Sequence, residues 1–112
     1  MQYALMIYTE PGYQERVSDA ERAAVREEFL ALGDDARSIG GAQLHPIETA
    51  TCVRVVDGKT LMTDGPFADT KEVLGGFALI EAANLDEAVD LAARIPAARL
   101  GGSVEVRPVV PR

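Results

Sequence analysis

The residues best equipped for chemistry lie in one stretch, Asp64-Gly65-Pro66-Phe67, with Asp69, Thr70, Lys71 and Glu72 close behind. Asp64 has two readings. In the first it opens a turn: its carboxylate accepts backbone N–H groups, glycine supplies an unusual φ, and proline stiffens the exit. In the second it is a carboxylate held at the mouth of a cleft, as acid/base or as acceptor for a ligand. The two are compatible, because loops on rigid scaffolds often carry function. Lys71 and Glu72 divide in the same way. They form a solvated connection in which Lys71 pairs with a neighbouring carboxylate at little gain in stability, or they line an entrance that selects a small polar or anionic ligand.

Five further side chains are candidates. His45, in Leu44-His45-Pro46, is the only histidine and belongs to the side-chain type that exchanges protons near neutral pH. Without an evident partner, it reads first as a surface or structural residue. Arg54 can project into a cleft and bind a carboxylate, or stand exposed on an outer strand face. Tyr8 and Glu10, at the end of the first strand, are candidate cleft-lining residues. Cys52 is the only cysteine, which excludes an internal disulfide and fits a reducing compartment. Its place in an apolar run favours a small buried hydrophobe over a reactive thiol.

Other chemistries find no support. One histidine and one cysteine cannot build the usual zinc site, and the carboxylates do not follow the spacing of a calcium loop. There is no GxGxxG or Walker pattern and no nucleophile elbow, so no cofactor or metal is implied. The formal net charge is −7, with two lysines and scattered arginines, whereas phosphate backbones require clustered Lys and Arg. Nucleic acid is therefore not an expected partner. No apolar run approaches the ~18–20 residues of a membrane span. The opening MQYALMIYTEPG lacks the basic start of a secretory signal, and a cytoplasmic location is expected.

The elements that must position these groups are legible in the patterning. Residues 2–8, QYALMIY, form a strand with apolar or aromatic side chains on both faces. Ser18-Asp19-Ala20-Glu21 is a capping box. It opens a helix whose stripe, Val25, Phe29, Leu32, Ala36 and Ile39, runs to Gly40-Gly41 with a weak point at Gly33. After a short segment from Ala42 to Ile47, the runs ATCVRVV and KTLMT flank Asp57-Gly58, the signal of a type I′ hairpin. That register sets Val53 against Met62 and Val55 against Thr60, the expected core face, with Arg54 against Leu61 on the other. Pro66 is expected to end the ladder.

Residues 73–82 form another strand that is apolar on both faces, with Gly75-Gly76 marking a bulge or a close backbone approach. Asn84-Leu85-Asp86-Glu87 caps a second helix that buries Leu85, Ala88, Val89 and Ala92 and stops at Pro96. A final strand, 103–109, has one wet face.

The order β-α-β, hairpin, β-α-β makes residues 1–112 one ferredoxin-like α+β domain: an antiparallel sheet, two helices on one face and an extra hairpin. Two helices cover one sheet face only. The first and penultimate strands are apolar on the other face as well, so a second subunit packing sheet to sheet, a two-fold homodimer, is the expected cover.

The run TDGPFADTKEVLGGFALIEA, with YALMIY, ATATCVRVVDG and IPAARLGGSVEVRP around it, resembles the DGPF-type branch of the YCII-related family of small bacterial proteins. The resemblance covers nearly the whole chain. It implies a ferredoxin-like fold assembled as a dimeric α+β barrel with a cleft between sheet and loops. Many members carry a histidine in the first helix and an aspartate after the second. Here the first helix has no histidine and Ile95-Pro96 replaces the Asp-Pro, so that pair does not carry over.

The expected function is small-molecule binding in the barrel cleft, with enzymatic activity as an open extension. Asp64 is then the acid/base or polarising group, and Arg54, Lys71, His45 and Tyr8 are ligand contacts. The resemblance also implies an alternative of a different class, an accessory or regulatory partner of an extracytoplasmic-function sigma factor.

Overall fold

The computed structural model describes residues 1–65 and 71–112. Six strands and two helices are placed among them: β1 (Gln2–Thr9), α1 (Asp19–Gly33), β2 (Ser38–Gln43), β3 (Thr51–Val56), β4 (Lys59–Asp64), β5 (Val73–Glu81), α2 (Leu85–Ala92) and β6 (Ser103–Pro108). Four of the strands form one antiparallel sheet in the order β2-β5-β1-β6. With one helix between β1 and β2 and another between β5 and β6, this is the ferredoxin-like α+β arrangement. The hairpin β3–β4 is a separate two-stranded sheet inserted between β2 and β5.

The alternation along β1 decides where the core lies. Tyr3, Leu5 and Ile7 are buried, opposite Ile80, Ala78 and Gly76 of β5. They form one apolar cluster with Ala88, Leu91 and Ala92 of α2 and with Ile95 and Ala97, and Phe29 and Leu32 of α1 pack against it. Leu5 is 1% exposed. The intervening residues Ala4, Met6 and Tyr8, level with Leu79, Phe77 and Leu74 of β5, form the second face. No helix among the described residues lies over that face. The expected bulge is present: Ile7 pairs with Gly76 and Tyr8 with Leu74, which leaves Gly75 as the extra residue.

Both helices start at their predicted caps. Ser18 Oγ accepts the Glu21 N–H at 3.1 Å, and Asn84 Oδ1 accepts the Glu87 N–H at 3.0 Å. Glu87 Oε2 reaches back to the Ala83 N–H at 3.2 Å, a reciprocal pairing that satisfies two otherwise orphaned donors. Their later course departs from the periodicity. α1 ends at Gly33 rather than near Gly40, closed by the Asp34 N–H on the carbonyls of Ala31 and Leu32. Ser38-Ile39-Gly40-Gly41 is a poor helix former, and its backbone is satisfied instead by pairing with β5. Ala36 and Ile39 thus leave the stripe.

α2 is rotated from expectation. Ala88, Leu91 and Ala92 are buried, whereas Leu85 and Val89 are exposed. The stripe 88-91-92 continues into the buried Ile95 beyond the helix, and so carries two large aliphatic side chains into the core.

An ionic clamp ties the connection between α1 and β2 to α2 and the turn after it. Arg37 donates Nε to Asp35 Oδ1 at 2.9 Å and Nη2 to Oδ2 at 3.0 Å. The Arg37 N–H adds a bond to Asp35 Oδ1. Arg94 reaches Asp35 at 3.4 Å, and Arg37 Nη1 lies 3.5 Å from Glu87. The hydrogen bonds from Arg37, with its charge and that of Arg94, hold the Asp35 carboxyl well below the usual carboxylate range. Mainly through the Asp35 hydrogen bond, the Arg37 guanidinium is held the more firmly protonated.

The hairpin forms in its predicted register, with Val53 opposite Met62, Arg54 opposite Leu61 and Val55 opposite Thr60. Asp57 (φ 51°) and Gly58 (φ 75°) take the two left-handed positions of a type I′ turn. The expected core face is not buried, however. Val53, Val55 and Met62 are 59%, 68% and 72% exposed, because the hairpin packs chiefly on itself and stands off the four-stranded sheet. The Cα radius of gyration, 15.7 Å, exceeds the about 13 Å of a compact domain near this length.

Candidate functional site

Two concavities among the described residues have linings that differ in kind. The larger, about 510 Å³, lies between α1, β2 and the sheet, with Phe29, Leu32, Ile39, Ala78 and Ile95 among its walls. Its lining holds no ionisable side chain, so it offers shelter but no group to move a proton. None of the candidate residues borders it.

The smaller, about 390 Å³, is formed by Leu44, His45, Pro46, Ile47, Thr49, Ala50 and Leu74. Its position follows from local structure. The chain leaves β2 with the Leu44 N–H bonded to the Gly75 carbonyl at 2.9 Å. It passes through the extended Pro46 and turns at Ile47–Thr49, where the Thr49 hydroxyl and N–H both donate to the Pro46 carbonyl. It then enters β3 at Thr51. His45 therefore stands on a short, braced wall facing the start of β5.

This cleft adjoins the end of the hairpin. The Gly65 N–H donates to the Ala50 carbonyl at 2.7 Å, and the Cys52 thiol lies 3.4 Å from the Gly65 carbonyl. Cys52 is half-buried, a small side chain closing the strand end. Through the Ala50 wall, the cleft that His45 lines thus meets the chain just beyond Asp64. Asp64 itself is exposed and pairs with Thr51. Pro66 as ladder terminator, Phe67, Asp69 and Thr70 lie outside the described residues.

The other candidates do not line the cleft, and all but Arg54 fall around the same end of the sheet. Tyr8 is half-buried on the face free of helices, between Leu74 and Ser103. Lys71 is exposed. Glu72 accepts the Ser103 hydroxyl at 2.9 Å, which ties the segment before β5 to the start of β6. Glu10 holds Arg16 in an ion pair at 2.9 Å. Arg54 projects from the exposed hairpin, on the face that carries Leu61.

Sequence reasoning did not find Ser103 or the Thr49–Ala50 wall. The only signal for the first was its place after Gly101-Gly102, where the backbone runs close to its neighbours. A Cβ on Gly102 would stand 2.2 Å from the Tyr8 carbonyl oxygen.

Across residues 1–112 the chain matches the YCII-related domain. It is 39% identical over 114 residues to an uncharacterised protein of Rhizobium meliloti (strain 1021), a match covering 97% of this chain and 92% of that protein. Among solved structures it resembles 5-chloro-2-hydroxyhydroquinone dehydrochlorinase (TftG) from Burkholderia phenoliruptrix, solved in complex with 2,5-dihydroxybenzoquinone. That likeness has a TM-score of 0.56 at 18% identity and covers 98% of this chain and 94% of the other. At that identity, the likeness speaks for the fold.

Proposed function

Since the chain belongs to the YCII-related family, we propose that it binds a small molecule in the cleft between the Leu44–Ala50 wall and the start of β5, with acid/base turnover as the chemistry open to it. The reading rests on one observation: the Gly65-to-Ala50 hydrogen bond sets the end of the strand carrying Asp64 beside the cleft that His45 lines. Asp64 is assigned the acid/base or polarising role, and His45 and Lys71 the ligand contacts. Arg54 and Tyr8, which do not line the cleft, are assigned as further ligand contacts. The run TDGPFADTKEVLGGF supports the DGPF-type branch, and the single cysteine suits a cytoplasmic setting.

A homodimer through the sheet face of Ala4, Met6, Tyr8, Phe77 and Leu79 belongs to the same proposal, for β1 and β5 are apolar there, no helix among the described residues lies over them, and the charged Glu105 and Arg107 stand at the β6 edge. The quinone bound by the dehydrochlorinase supports a small, polar, cyclic ligand as the first probe. Titration with 2,5-dihydroxybenzoquinone and with small aromatic carboxylates is expected to give saturable binding. Binding should weaken at least tenfold in H45A and D64N, with circular dichroism unchanged. No saturable binding at millimolar concentration of any of these compounds would overturn the reading.

A second reading, contact with an extracytoplasmic-function sigma factor, is favoured by the exposed apolar side chains of the hairpin. Stoichiometric co-elution with a purified sigma factor tests it.

A further inference from the structure

We infer that the β3–β4 hairpin is an arm that clasps a second copy of this chain. A two-stranded hairpin in water is marginal by itself and needs a covered face. This one shows Val53, Val55 and Met62 on one side and Val56 and Leu61 on the other, all exposed. Apolar patches of this kind are uncommon on monomers and mark interaction surfaces.

The occupant follows from charge and area. α1 carries four acids against two arginines, and α2 three acids with no base. The hairpin balances Arg54 and Lys59 against Asp57 and Asp64. In a chain of net charge −7, the hairpin balances its charges and the bare sheet face sets Glu105 beside Arg107 at its β6 edge, so on these surfaces two copies can meet without a net opposition of like charges. Four strands about 4.8 Å apart and roughly 20–25 Å long present a face of about 400 Å². A stable interface takes about 800 Å² from each partner. The sheet face alone falls short. In a two-fold pair each copy both gives an arm and receives one, so the hairpins supply area where it is lacking and cover their own apolar side chains.

This rests on the sheet-face dimer proposed above, and the test separates the two. Sedimentation equilibrium of the full chain from 1 to 200 µM would compare wild type with V55K/M62K, with V55K alone, and with L79E on the sheet face. Val55 and Met62 are exposed in the single chain, so those variants retain the fold, as far-ultraviolet circular dichroism will show. The expected result is a wild-type dimer whose dissociation constant rises at least tenfold in V55K/M62K and less in V55K, with L79E monomeric. A monomeric wild type would overturn the arm and the dimer together. A dimer broken by L79E but indifferent to V55K/M62K would overturn the arm and leave the sheet-face dimer standing. An unchanged dissociation constant with lost sigma-factor binding would assign the arm to another protein and overturn the inference.

Discussion

Ser103, at the start of β6, donates its hydroxyl to Glu72 Oε2 at 2.9 Å, joining the segment that precedes β5 to the far edge of the sheet. Glu72 is thereby occupied in holding two strand starts together, whereas Lys71 stands exposed. E72A is expected to lower unfolding stability by about 1 kcal/mol, the scale of one hydrogen bond to a charged group in a partly solvated setting. K71A should leave stability unchanged while weakening an anionic ligand. Urea denaturation of both variants, alongside ligand titration, checks the division.

Asp35 gives the protein an acid-side dependence. Its carboxyl is held below the ordinary carboxylate range by Arg37 and Arg94. A group whose folded value is depressed stabilises the fold above its unfolded value, near 4, and loses that contribution as the pH falls through the folded one. D35N should therefore melt lower than wild type at pH 7, and the difference should shrink as the pH drops below about 4. Melting curves from pH 2.5 to 8 will show the gap narrowing on the acid side. A gap that stays constant would mean that the clamp acts through packing alone.

Gly102 is constrained by space rather than by conformation. A Cβ there would meet the Tyr8 carbonyl oxygen at 2.2 Å and that of Ala97 at 3.1 Å, both backbone atoms. Gly40 has nothing within 4 Å of the same position. G102A is expected to destabilise by about 2 kcal/mol or more, and G40A by well under 1 kcal/mol. Because Gly102 abuts the end of β1 beside Tyr8, ligand affinity should fall with stability in G102A.

The N-cap of α2 offers a local control. Asn84 accepts the Glu87 N–H while Glu87 accepts the Ala83 N–H. N84A should cost about 1 kcal/mol without altering the dimer dissociation constant or ligand binding. Chemical denaturation and sedimentation of the same preparation test both halves.

What could be read from the sequence was what neighbours along the chain decide. The caps at Ser18 and Asn84, the Asp57-Gly58 turn with its register, and the bulge at Gly75 all depend on a few adjacent residues, and the structure has them where the patterning placed them. Three features depend on distant partners instead. α1 stops at Gly33 because β5 recruits Ser38–Gln43 as a strand, which outweighs an apolar periodicity that ran on to Ile39. The buried stripe of α2 is chosen by Ile95 and the sheet rather than by the helix itself. The hairpin face around Val55 was apolar in either case, and alternation cannot say whether such a face meets its own core or something else.

The candidate site divides along the same line. Asp64 and His45 stood out by type, but the approach of the chain beyond Asp64 to the cleft that His45 lines depends on the Gly65-to-Ala50 bond and on the turn at Ile47–Thr49. The Arg37 clamp spans fifty residues to Glu87 and had no local sign beyond Asp35-Ala36-Arg37.

The sheet order bears on how the chain gains its structure in time. β1 lies between β5 and β6, so its hydrogen-bonding partners begin at Val73 and Ser103. Until those segments are synthesised, β1 is an apolar strand with two open edges, while the hairpin can close within microseconds. Pairings this distant in sequence slow folding and prolong the exposure of sticky segments. Assembly is thus expected to proceed from the outside inward: the inserted hairpin first, and the central strand, made before either of its partners, among the last to find its neighbours.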